Sequence, residues 1–200
     1  SGMTTDGYRY EGTEYLKLGE VSLANYNASI AALVKRYAAG ARDVLDFGAG
    51  IGTLSVKVRS LGVNPVCVEP DDAQRAELVR RGFTAVASLA EIPDESLDYI
   101  YSSNVLEHIQ DDVRALGLLR AKLRPGGTLL LYVPAFQSLF SSLDVTVGHV
   151  RRYDAASLGA KLRAAGFAVD QLFYADVFGY FATLAFKRLG NKMSNANSFT

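Results

Sequence analysis

The chain has 200 residues, the length of one domain, with 49% apolar and 21% charged residues, 18 Gly and 5 Pro. These values exclude disordered, collagen-like and disulfide-scaffold chains, and a net charge of zero argues against a general nucleic-acid binder. The charge is uneven, however: eleven Lys and Arg face seventeen Asp and Glu over 1–119, and ten face four over 120–200, so an anionic ligand group is expected to be drawn to the second half.

In chain order, residues 1–40 read as an N-terminal helical segment, with a helix from Leu23 to Ala38 able to fold over the site as a lid. Residues 41–190 then alternate short apolar runs with helical spacing. The runs are Asp43–Phe47, Pro65–Glu69, Phe83–Ala87, Leu97–Ser102 and Thr128–Val133; the helices are Thr53–Leu61, Asp72–Arg81 and Asp111–Leu123. After a long loop, Asp154 caps a helix to Ala165, and Phe167–Tyr174 reads as a sixth strand. Val177–Leu189 reads as an apolar helix able to join a second copy of the chain, and 191–200 as a frayed polar tail.

Strand and helix alternating at this spacing mean parallel strands with crossover helices, an α/β, Rossmann-like, doubly wound sheet. The ligand is then expected outside the carboxyl edge of the strands. The longest apolar stretch, Val177–Phe186, is half of the ~20 residues that cross a bilayer, so no transmembrane segment is expected. The single cysteine, Cys67, lies in an apolar run and reads as a buried thiol of a reducing, cytoplasmic compartment.

Val44-Leu-Asp-Phe-Gly48-Ala-Gly50-Ile-Gly52-Thr is the most informative segment. Alternate glycines let the backbone turn and approach a ligand, and the following helix offers N–H groups. The spacing is G-x-G-x-G, with Thr53 where the dinucleotide fingerprint wants glycine, and Asp46 suits a ligand carrying an ammonium or sulfonium charge. Glu69 ends the second strand, where a carboxylate can accept both hydroxyls of an adenosine ribose.

Asp46-Phe-Gly-Ala-Gly-Ile-Gly52, Val66-Cys-Val-Glu-Pro-Asp71, Leu97-Asp-Tyr-Ile-Tyr-Ser-Ser-Asn-Val-Leu-Glu-His-Ile109 and Leu123-Arg-Pro-Gly-Gly-Thr128 resemble the ordered motifs of class I S-adenosylmethionine-dependent methyltransferases, in their small-molecule branch. The resemblance covers roughly residues 40–135. It implies a seven-stranded sheet of order 3-2-1-4-5-7-6, although the polar 191–200 segment is poor material for the seventh strand. It implies S-adenosylmethionine as cofactor and S-adenosylhomocysteine as product. Gly48, Ala49 and Gly50 would pass under the methionine part, and Asp46 would position its amino group. Glu69 would hold the ribose, with Pro70 and Asp71 beside the adenine, Ser88 and Leu89 over it, and Asn104 and Val105 lining the cofactor opposite Gly48.

A hydroxyl acceptor benefits from a base. The two histidines are His108, after the fourth strand, and His149, in the loop segment Leu143-Asp-Val-Thr-Val-Gly-His-Val-Arg-Arg-Tyr-Asp154. His149 is the stronger base candidate; for His108 a packing role competes. Arg151, Arg152 and Tyr153 are candidates for an acidic group of the acceptor, against the alternative that an arginine ties the loop to Asp144. The acceptor is expected to be a small molecule, sugar, lipid-linked or quinone-like. Ser103-Asn-Val-Leu106 lacks the Asp/Asn-Pro-Pro-aromatic run of DNA-methylating enzymes, so nucleic acid is not expected. No Cys/His cluster has metal-ligand spacing, so no metal is expected. A nucleotide-cofactor oxidoreductase and a non-catalytic S-adenosylmethionine-binding protein remain as alternatives.

Overall fold

A computed structural model describes residues 24–175. The elements are α1 (Ala24–Tyr37), β1 (Val44–Phe47), α2 (Thr53–Ser60), β2 (Val66–Val68), α3 (Asp72–Arg80), β3 (Ala85–Val86), β4 (Leu97–Ser103), α4 (Asp112–Lys122), β5 (Leu123–Tyr132), α5 (Ser142–Thr146) and α6 (Ala155–Ala164). Single 3-10 turns sit at Leu89–Glu91, Leu106–His108 and Gln137–Leu139. The five strands form one sheet of order β3-β2-β1-β4-β5, and every pairing is parallel. Their carboxyl ends therefore share one edge, as the alternation of runs and helices requires.

The strand side chains sort by parity. Val44, Tyr99 and Tyr101 face α1 and α2, where Ile30, Ala31, Val34 and Val58 complete a buried cluster. Leu45 and Ile100 face the other way, onto Leu119 of α4, while Leu116 of α4 and Leu158 of α6 extend that layer. Burial of each such aliphatic side chain contributes about 1.5–3 kcal/mol. Helix starts follow their caps: Asp71 accepts from Gln74 N at 2.9 Å ahead of α3, and Asp111 from Arg114 N at 3.1 Å ahead of α4. The Cys67 thiol is buried beneath α3, against Leu78 and Phe83, and burial pushes its pKa up to about 12.

Two expectations change. The 24–37 part of the expected lid is a helix packed on a sheet face, because Ile30, Ala31 and Val34 fall on one stripe and bury there; its Tyr26 reaches the carboxyl edge and accepts from Asn104 Nδ2 at 3.3 Å. Phe167–Tyr174 is not a strand. Phe167 packs into the core, but the segment then makes its contacts through side chains rather than a ladder. Gln171 accepts from the Tyr37 hydroxyl at 2.6 Å, and Tyr174 stacks on Phe136 with ring centroids 4.5 Å apart. Among the described residues β5 pairs only with β4, and a cavity of about 390 Å³ runs along its outer edge between Tyr26 and Leu33 on one side and Leu158 and Phe173 on the other. The expected helix at 177–189, the tail 191–200 and the segment 1–23 lie outside the described residues. Among the described residues no helix is long and apolar enough to cross a membrane.

Candidate active site

The glycine loop leaves β1 through left-handed backbone at Gly48 (φ 77°), Gly50 (φ 59°) and Gly52 (φ 85°). At Gly48 glycine is obligatory twice over. The left-handed conformation penalises a side chain, and a Cβ there would collide with the Val105 methyls. Gly48 thus lies against Val105 just beyond β4, which brings the loops of two neighbouring strands into contact.

Glu69 closes the loop from the β2 side. Its Oε2 accepts from Gly50 N and its Oε1 from Asp71 N, both at 2.9 Å. Burial raises its pKa and these two N–H groups work against that rise. A carboxylate has about four lone-pair sites, so two remain for ligand hydroxyls. Asp46 is buried under the loop and accepts from Ser55 Oγ at 2.6 Å. Burial pushes its carboxyl up to about 6, against the Ser55 hydrogen bond. A cation docked above would favour the charged form.

The remaining cofactor candidates lie on the same edge in more structural roles. Asp71 caps α3, and Pro70 offers its carbonyl to Arg75 at 3.1 Å. Ser88 Oγ accepts from Ala90 N, while Glu91 accepts from Ala87 N and Ser88 N, so that acid is spent on its own turn. Leu89 packs against the core cluster of Leu45 and Val68. Asn104 adopts φ 54°, left-handed backbone at the end of β4, with its N–H on Tyr132 O at 2.8 Å. Strained non-glycine backbone of this kind concentrates at functional sites.

The two histidines, 41 residues apart, meet. Val150 N donates to Glu107 O at 2.9 Å, Tyr153 Oη to Leu106 O at 3.2 Å and Arg151 to the carbonyls of Ile109 and Gln110, binding segment 149–153 to the loop after β4. The ring centroids of His108 and His149 lie 4.8 Å apart, edge to face. His149 Nδ1 donates to Asp144 Oδ1 at 2.8 Å, and His108 Nδ1 to the Gly148 carbonyl at 3.1 Å. Burial and the neighbouring imidazole of His149 hold the His108 pKa down. Beside His149 lies Glu107, fully buried, with neither oxygen hydrogen-bonded; His149 Nε2 is 3.7 Å from its Oε1. Burial pushes the Glu107 carboxyl up to about 8.

The arginines divide. Arg152 Nε donates to Asp144 Oδ1 at 2.7 Å and its side chain lines the cavity beside β5 with Asn104 and Phe136. Arg151 is committed to Ile109, Gln110 and Asp112, and the Tyr153 hydroxyl is buried on Asp112 Oδ2 at 2.8 Å. Asp144 is buried, yet its hydrogen bonds from Arg152, His149 and Ser141 N outweigh burial and keep its pKa below the usual value. The sequence offers Asp144 only as the acid to which an arginine ties the loop, which Arg152 does, and gives Glu107 no role. The signal available was an acid next to one histidine and an acid five residues before the other.

A family model described as a methyltransferase domain matches residues 23–172. A probable S-adenosylmethionine-dependent methyltransferase of Mycolicibacterium smegmatis is 30% identical over 148 residues, 70% of this chain and 55% of that protein. The chain spans about half the length of the curated relatives it matches. Among solved structures, a SAM-dependent methyltransferase from Archaeoglobus fulgidus superposes with TM-score 0.59 at 20% identity, covering 89% of this chain and 92% of its own. The trans-methyltransferase CalH, crystallised with S-adenosylhomocysteine, gives TM-score 0.55 at 20% identity, covering 70% of this chain and 48% of its own.

Proposed function

Because the chain belongs to the class I S-adenosylmethionine-dependent methyltransferases, we propose that it methylates a hydroxyl oxygen of a small-molecule acceptor at the carboxyl edge of the sheet. Family membership sets aside the oxidoreductase alternative. The donor supplies an electrophilic methyl group on a sulfonium. Gly48, Ala49 and Gly50 present bare backbone to its methionine part. Glu69 has lone pairs for the ribose hydroxyls, with Pro70, Asp71, Ser88 and Leu89 around the adenine and Asn104 and Val105 facing Gly48. Asp46 acts through its charge from beneath the loop, since Ser55 occupies its near oxygen.

One observation carries the choice of an oxygen acceptor: the grouping of Glu107, His108 and His149, in which Asp144 orients an imidazole whose Nε2 lone pair points inward. A hydroxyl must shed a proton as it is methylated, and this grouping is where the proton is handled. His149 is the residue through which that happens. Arg152, lining the cavity, is the arginine placed to meet a carboxylate or phosphate of the acceptor; Arg151 and Tyr153 hold the loop in place.

The test is a panel of phenolic, sugar and lipid-linked hydroxyl acceptors scored by S-adenosylhomocysteine formation, with His149→Ala alongside. Turnover is expected to fall by about 10²- to 10³-fold in that variant, with S-adenosylhomocysteine affinity unchanged by calorimetry. Full turnover with an unaltered pH profile would remove His149 from the chemistry. Product binding without turnover of any acceptor would favour a non-catalytic role.

A further inference from the structure

Glu107 presents a problem that hydrogen bonding within the chain does not solve. Its carboxyl group is fully buried with both oxygens unpartnered, and buried polar atoms left without partners are costly. The His149 Nε2–Glu107 Oε1 separation of 3.7 Å is too long for a hydrogen bond. It is close to the roughly 3.4–3.6 Å between two ligand atoms that share an ion at bond lengths of about 2.1 Å.

Both histidines have their second nitrogen already assigned. The Gly148 carbonyl can only accept, so His108 Nδ1 carries its hydrogen and Nε2 its lone pair. Asp144, which also accepts from Arg152 Nε at 2.7 Å and Ser141 N at 2.9 Å, lies 2.8 Å from His149 Nδ1 and fixes the hydrogen there in the same way. A carboxylate or carbonyl behind each imidazole is the arrangement that fixes metal-ligating histidines. The candidate ligand atoms of Glu107, His108 and His149 all lie within 4.8 Å of one another. Side-chain rotation over about 1 Å closes the set to the spacing of a shared ion.

We propose that Glu107, His108 and His149 bind one divalent transition-metal ion through a carboxylate oxygen and the two Nε2 atoms. Two imidazoles with one carboxylate suit zinc, manganese, iron, cobalt or nickel over magnesium or calcium. Three protein ligands leave a position open for an oxygen of the acceptor. Coordination there lowers the pKa of a hydroxyl, whose proton passes to solvent before the oxygen attacks the methyl carbon and the sulfur keeps the bonding pair. This catalytic use rests on the methyl-transfer reading above: in the metal-free chain His149 accepts the hydroxyl proton, and with the ion bound it acts through the metal instead; the metal site itself does not depend on that reading. The proposal runs against the expectation of no metal, which was drawn from linear spacing; the proposed ligands come from two loops.

The experiment loads chelator-stripped protein with Zn²⁺ or Mn²⁺, removes unbound ion by gel filtration and counts metal by mass spectrometry. About one equivalent is expected for the wild type, with loss of at least ten-fold in affinity for Glu107→Gln and His149→Ala while S-adenosylhomocysteine binding is kept. Less than about a tenth of an equivalent in the wild type, or undiminished binding in both variants, overturns the site. Should the variants fail to fold, the Co²⁺-loaded wild type decides: two exchangeable, paramagnetically shifted imidazole N–H signals are expected from the two Nδ1–H groups, and none overturns the assignment. Full methyl transfer by metal-free protein overturns the catalytic use and leaves the methyltransferase reading intact. Metal binding without any S-adenosylhomocysteine binding does the reverse.

Discussion

Asp46, buried beneath the glycine loop, shows what one residue's surroundings do to its charge. Its carboxyl is pushed up from the usual 3.8 to about 6, chiefly by burial. The folded chain therefore holds this proton through a range where the unfolded chain has released it. The sign follows: the contribution is most favourable below about pH 4 and is lost as pH rises to about 6, by about 3 kcal/mol in all. Asp46→Asn cannot ionise, so its urea-unfolding free energy relative to wild type, measured without cofactor, is expected to shift by about 3 kcal/mol in its favour between pH 4 and pH 7.5. An equal difference at both pH values would refute the assignment. The variant should also bind the cationic donor more weakly at pH 7.5. Such residues were legible in the sequence because the glycine loop, Asp46 and Glu69 are local signals in fixed order. The Glu107–His149 contact was not, because it depends on Val150 N reaching Glu107 O across 43 residues of chain.

Between elements, Asp112 is the fastening point. Lying in the first turn of α4, it accepts from Lys161 of α6 at 2.8 Å through Oδ1, and from Arg151 at 3.1 Å and Tyr153 at 2.8 Å through Oδ2. Burial opposes its charge, but these partners outweigh it and hold its pKa below the usual value. Asp112→Ala removes the carboxylate shared by Lys161 and Arg151 and one of the two acceptors of the buried Tyr153 hydroxyl, and is expected to cost about 3–5 kcal/mol, read as a fall in Tm of roughly 10 °C. A fall under two degrees would show that the fastening is dispensable. Element starts were legible where a cap is local, as at Asp154. The segment after Phe167 was not: its apolar residues resemble a strand, yet it engages Tyr37, Phe136 and Ala155 through side chains, which no periodicity encodes.

For the whole molecule, the sheet order β3-β2-β1-β4-β5 was legible from the alternation of runs and helices together with the family resemblance. Among the described residues, five basic side chains of the second half are paired with acids: Arg124 with Asp43 and Asp98, Lys122 with Asp94, Lys161 and Arg151 with Asp112, and Arg152 with Asp144. A count along the chain could not show that pairing. Strands β1 and β4, each flanked on both sides, lie at the centre of the sheet, whereas α5 spans five residues and carries exposed Val145. Amides of Leu45 and Ile100 are therefore expected to exchange slowest and those of 142–148 much faster, with S-adenosylhomocysteine slowing Gly50 and Asp71. Comparable rates in the two regions, by hydrogen-exchange mass spectrometry, would contradict this ordering.

The stretch between β5 and His149 buries Leu139 and Asp144 and leaves three apolar side chains exposed. Downstream, the backbone at 150 and the side chains at 151 and 153 are tied to the loop after β4, while Leu143, Val145 and Val147 point outward. Drift at those three outward positions can reshape the rim without moving the reacting groups. The fold thus separates an interchangeable cassette from a fixed anvil, and a library built on those three positions can retune the rim while donor affinity stays put.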